Sequence, residues 1–160
     1  DKVLEQFKDD KIKAQIKKAN YIILYIGTND FRKSANYQFN PLDVKGVKEG
    51  KVTFTTNLNR ILNNIRKENP AAPIFVLGLY QPYVEYSNHQ EILSTIKDWN
   101  DGIANVAGDF NRTYFVATLD LFHDKPKSTY FSDSLHPNPA GYRLISERVS
   151  EKVIKELSFK

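Results

Sequence analysis

The run Tyr21-Ile22-Ile23-Leu24-Tyr25-Ile26-Gly27-Thr28-Asn29-Asp30 decides the fold. Its first six residues are apolar, without alternation, and rich in β-branched and aromatic types. They stop at a glycine. Such a run predicts a short strand buried on both faces. Two later runs have the same character: Ile74-Phe75-Val76-Leu77-Gly78-Leu79 and Tyr114-Phe115-Val116-Ala117-Thr118.

The segments around these runs have helical spacing. Val3, Leu4 and Phe7 make one stripe, and Ile12 and Ile16 make another, with Asp9-Asp10 expected to divide them. Phe54, Leu58, Ile61, Leu62 and Ile65 make a second helix, which Asn69-Pro70 should end. Ile92, Ile96, Trp99, Ile103, Val106 and Phe110 step by threes and fours along a third, which puts Trp99 in the core. Leu144, Ile145, Val149, Val153 and Leu157 mark the last, with Pro139 near its start. Residues 31–50, 81–90 and 120–138 are expected as loops. Helices alternating with buried strands predict the α/β class, a three-layer α/β/α domain around a parallel sheet. Ligands of such sheets sit at the carboxyl ends of the strands.

Composition narrows the function. The chain has 160 residues, 41% of them apolar, and a net charge of +4. Its Lys and Arg residues are spread along the predicted helices. They read as solvated faces, and no nucleic-acid partner is expected. There is no Cys, which excludes disulfides, thiol nucleophiles and thiolate zinc sites. No apolar run approaches the ~18 residues of a membrane span. The chain lacks Met and begins with Asp, so an N-terminal piece is expected to have been removed, together with any export signal.

Two of the carboxyl-end loops hold residues suited to chemistry. In Asp133-Ser134-Leu135-His136-Pro137 the carboxylate precedes the imidazole by three positions. It can turn back to accept from Nδ1–H and leave Nε2 as a base, or simply cap a turn beside an ordinary loop histidine. A metal pair is a third reading, without an obvious third ligand. In Gly27-Thr28-Asn29-Asp30, Gly27 allows close approach at the strand end. Asn29 can donate its amide to an oxyanion, or Asn29-Asp30 can be turn formers alone. Tyr80, Pro82 and Tyr83 follow the second strand and are candidate walls of an acyl or alcohol pocket. His89 and His123 read as surface loop residues.

Taken together, Gly27-Thr28-Asn29-Asp30 and Asp133-x-x-His136-Pro137, followed by Asn138-Pro139-Ala140-Gly141-Tyr142, resemble two blocks of the SGNH (GDSL-like) hydrolases. The resemblance is to their bacterial lysophospholipase-like and acylhydrolase branch, and it runs over essentially the whole chain. It implies a flavodoxin-like parallel sheet and a serine ester hydrolase, esterase or lipase-like. His136 would be the base, Asp133 its orienting carboxylate and Asn29 an oxyanion donor, with Gly27 and Asp30 in support. The substrate would be a small-molecule or lipid ester, and no cofactor or metal is needed.

The chain departs from the family pattern in one place. The Gly-Asp-Ser block and the second-block glycine do not occur, and both are expected upstream, with the N-terminal strands of the sheet. Ser134 is too close to Asp133 and His136 to serve as nucleophile, while Ser34, Ser87, Ser128 and Ser132 fall in polar loops. No Gly-x-Ser-x-Gly elbow is present. Without its neighbour, the strand from Tyr21 to Ile26 would be an exposed edge, open to self-association unless the missing piece covers it. A non-catalytic or truncated member serving binding or assembly is the alternative. The resemblance also carries an expectation of export or membrane anchoring in a Gram-positive bacterium.

Overall fold

The computed structural model describes residues 2–158, which form seven helices and three strands. The paired stripes at the start become α1 (Lys2–Gln6) and α2 (Asp10–Lys18). They divide where expected, because the Asp9 carboxylate accepts from the Lys11 N–H at 2.8 Å and caps α2. Strands β1 (Ile22–Leu24), β2 (Ile74–Leu77) and β3 (Thr113–Val116) are parallel, in the order β1-β2-β3. Ile23 pairs with Phe75, and Phe75 with Tyr114.

Helices cover both faces. Ile74 and Val76 of β2 point into a core built with α4 (Val44–Glu68) and α5 (His89–Gly108). Phe75 and Leu77 point the other way, toward Ile145, Val149 and Val153 of α7 (Pro139–Leu157). Every residue of β2 is therefore buried, as its unbroken apolar run requires. Trp99 is fully buried in the first core. Arg66 straps the amino ends of β2 and β3: Nη1 donates to the Ala72 carbonyl at 2.6 Å and Nη2 to the Asn111 carbonyl at 2.7 Å.

The structure corrects three expectations. First, β1 is buried on one face only. Ile22 and Leu24 pack on the first core, whereas Ile23 is 44% exposed between the exposed rings of Tyr21 and Tyr25. The reason is position: β1 is the edge strand, and α7 reaches it only across an apolar groove of about 600 Å³. Tyr21, Ile23, Tyr25, Ile145, Val149 and Val153 are among its walls.

Second, residues 31–50 are not an irregular surface loop. α3 (Thr28–Ser34) occupies its start and α4 begins at Val44, while Phe31, Ala35, Phe39, Leu42 and Val47 are buried. Asp43 caps α4 by accepting from the Gly46 N–H at 2.9 Å. Gly50, which looks like a helix breaker, lies against Ser34, where a Cβ would collide. Glycine here serves a close approach of α3 and α4. Third, the loop over residues 120–138 contains a short helix, α6 (Lys127–Tyr130), and α5 starts at His89 within the expected loop 81–90.

Candidate active site

The polypeptide reverses at Gly27, whose φ of 113° places it in the left-handed region. A Cβ there would also sit 2.9 Å from Phe54 Cζ, so glycine is required twice over. The turn starts α3 at the carboxyl end of β1 and puts Asn29 and Asp30 in its first turn. Partial burial raises the Asp30 pKa, opposed by its own backbone N–H and by Lys33.

The loop after α6 carries the second group. An antiparallel bridge between Phe131 and Pro137 closes it, and Ser132 N–H donates to the His136 carbonyl at 2.8 Å. Within it, Asp133 Oδ1 accepts from the backbone N–H of Leu135 and of His136, each at 2.7 Å. Asp133 Oδ2 lies 2.8 Å from His136 Nδ1. The His136 backbone N–H, its ring and the Leu135 N–H together hold the Asp133 carboxyl well below the usual carboxylate range. One carboxylate oxygen caps the turn and the other contacts the imidazole.

Nδ1 is therefore the nitrogen engaged by the carboxylate. Nε2 has no hydrogen-bond partner among the described residues, and the side chain is 63% exposed. No serine hydroxyl among those residues bonds to it. Ser34 Oγ donates to the Phe31 carbonyl, and Ser87 Oγ accepts from Asn40.

Tyr80 joins this loop to the sheet. Its hydroxyl donates to the Leu135 carbonyl at 2.9 Å, in a site where both residues are buried. Burial pushes the Tyr80 pKa upward, so the phenol stays a donor. Pro82 and Tyr83 are also buried, and the Pro82 carbonyl accepts from Lys127 Nζ at 2.6 Å. None of these three candidate pocket residues lines the groove beside β1. They do not line the smaller concavity of about 260 Å³ either, which lies between Gln81, His89, Leu119 and His123.

Sequence reasoning missed Asn100 and Arg32. Asn100 sits on the buried stripe of α5. Its Oδ1 accepts from the Leu79 N–H at 2.7 Å and its Nδ2 donates to the Leu79 carbonyl at 2.8 Å. An amide at helical spacing among Ile96 and Ile103 was the available signal. Arg32 lies in α3 one turn beyond Asn29, above the Tyr37 ring at 5.3 Å.

With this geometry in hand, comparison with known proteins is informative. The model of the GDSL-like lipase/acylhydrolase family matches residues 1–144. The uncharacterized protein YpmR of Bacillus subtilis (strain 168) is 32% identical over 159 residues, covering 98% of this chain and 62% of YpmR. The chain thus spans less than two thirds of that relative's length. Among solved structures, the lipase Lip_vut3 from a goat rumen metagenome superposes with a TM-score of 0.76 at 21% identity, over 92% of this chain and 70% of its own. A family 3 carbohydrate esterase of Clostridium thermocellum gives a TM-score of 0.55 at 20% identity, over 91% of this chain and 64% of its own. At these identities the two structures attest the fold.

Proposed function

The chain belongs to the GDSL-like lipase/acylhydrolase family, and from that premise we propose that it forms the base and oxyanion side of a serine carboxylic-ester hydrolase. The nucleophilic serine would come from an upstream segment outside residues 1–160. The observation that carries this reading is the Asp133–His136 pair, with Nδ1 held at 2.8 Å and Nε2 left free.

In the proposed reaction, His136 Nε2 takes the proton of the serine hydroxyl as its oxygen attacks the ester carbonyl. Asp133 stabilises the imidazolium and stays ionised. Asn29 donates its side-chain amide to the oxyanion. The imidazolium then protonates the leaving alkoxide as the carbon–oxygen bond breaks. Water, deprotonated by the same nitrogen, releases the acid and regenerates the serine.

The groove beside β1 supports the placement of the serine. Among the described residues, β1 has an unpaired edge, and its apolar face is turned toward α7 across open space. An upstream strand and helix would cover both, and the length by which YpmR exceeds the match leaves room for them. A second copy of the chain seated there is the competing occupant. It would appear as a concentration-dependent mass of the 160-residue chain and would favour the reading of an assembly module. The neighbours include a lipase and a carbohydrate esterase, so a lipid ester and an acylated sugar are both in range as substrates.

The test is hydrolysis of p-nitrophenyl butyrate by the full-length protein. His136→Ala should lower kcat by about 10³-fold or more. Asn29→Ala should lower it by about 10²–10³-fold, with little change in KM. Hydrolysis that survives both substitutions would sink the proposal.

A further inference from the structure

α3 presents a cation that the proposed chemistry leaves unused. Arg32 follows Asn29 by three positions on one helix, which places their Cβ atoms about 5–6 Å apart on a shared face. Arg32 makes no ion pair among the described residues, and its Nε is buried without a hydrogen-bond partner. The Tyr83 hydroxyl lies beside it: Tyr83 is only 6% exposed, and its buried oxygen faces the Arg32 side chain, its one polar neighbour of note, in a loose contact. Two rings pack on Tyr83, Phe39 stacked at 4.0 Å and Tyr86 edge-on at 6.1 Å.

The two groups belong to one neighbourhood. Burial raises the Tyr83 pKa, and the nearby Arg32 charge opposes the rise. The same charge acts on Tyr80, which also feels Asp133 and holds the carbonyl of Leu135 beside His136. A guanidinium is a rigid fork of five N–H donors, matched to carboxylate and phosphate oxygens. A buried guanidinium N–H without an acceptor, such as Arg32 Nε, costs stability. An anionic acceptor brought by a ligand would remove that cost.

We propose that Arg32, with Tyr83 behind it, forms a specificity subsite beside Asn29 for an anionic oxygen group, carboxylate or phosphate, on the ester substrate. This rests on the hydrolase reading above and adds to it the charge of the substrate. Arg32 binds the anion directly, and Tyr83 is a positioning residue.

The experiment uses the full-length protein and three esters: mono-p-nitrophenyl succinate, p-nitrophenyl 3-phosphonopropionate and neutral p-nitrophenyl butyrate. The quantity read is the ratio of kcat/KM for each anionic ester to that for the neutral one. Arg32→Gln should lower this ratio by about 10- to 100-fold, chiefly through KM, as expected for the loss of hydrogen bonds to a charged group. Arg32→Lys should recover part of it. Whichever anionic ester shows the larger loss identifies the preferred oxyanion. A ratio unchanged by Arg32→Gln overturns the inference and leaves Arg32 a structural partner of another segment. Should the wild type cleave none of the esters, the hydrolase reading falls, and calorimetric binding of succinamic acid against butyramide decides the subsite. Preferential binding of the acid that is lost in Arg32→Gln sustains it, and equal binding overturns it.

Discussion

Replacing Tyr80 by Phe removes one oxygen and tests how the loop that carries Asp133 and His136 is held. The Tyr80 hydroxyl donates to the Leu135 carbonyl at 2.9 Å, and both residues are buried. Phe keeps the ring and its contacts with Phe122 and Phe131, so the change is confined to the hydroxyl, which also meets the Tyr25 phenol. The Leu135 carbonyl is then a buried acceptor without its partner, which costs about 1–3 kcal/mol. For a chain of this size that corresponds to a Tm lower by about 2–12 °C. Activity should suffer separately. Leu135 directly precedes His136, and a displacement of about 1 Å at a reacting group costs about 10²-fold. The Asp133–His136 pair is closed within its own turn and should survive, so the loss should fall on kcat and spare KM. Thermal unfolding and p-nitrophenyl ester kinetics of the variant read both effects. A Tm and a kcat both equal to wild type would refute the view that Tyr80 positions the loop.

Two further outcomes follow from the same bonds. Asn100→Leu should orphan the buried N–H and carbonyl of Leu79 together, costing about 2–6 kcal/mol at about 1–3 for each group. Urea unfolding measures it, and a loss below about 1 kcal/mol would contradict the assignment. Asp133 has a depressed carboxyl pKa in the folded state, so its contribution to stability is present above the unfolded value of about 3.9 and fades as pH falls through the folded value. The Tm gap between wild type and Asp133→Asn should therefore be widest near neutrality and narrow below about pH 4. A gap independent of pH would speak against an ionised, hydrogen-bonded Asp133.

Much of this was legible in the residues. β2 and β3 announce themselves as unbroken apolar runs, and the stripes of α4, α5 and α7 follow the helical period. The contact between Asp133 and His136 could be anticipated because the turn that joins them is local, only three positions long. What escaped depends on neighbours distant in sequence. The exposed face of Ile23 reflects where β1 sits in the sheet, which its own composition does not encode. Gly50 looks like a helix breaker until Ser34 is seen against it. The burial of Tyr80 and Tyr83 comes from Phe122, Phe131 and Phe39, which their own position after a strand does not announce. Arg32 stands out only once its lack of an acidic partner among the described residues is visible in three dimensions.

The most direct test is covalent trapping. The full-length protein would be treated with a fluorophosphonate, digested, and the labelled peptide sequenced by mass spectrometry. The expected result is a single modified serine upstream of Asp1, with labelling suppressed in His136→Ala. A label on Ser134 or on any other serine within residues 1–160, or ester hydrolysis without labelling, would contradict the division of the catalytic groups proposed above.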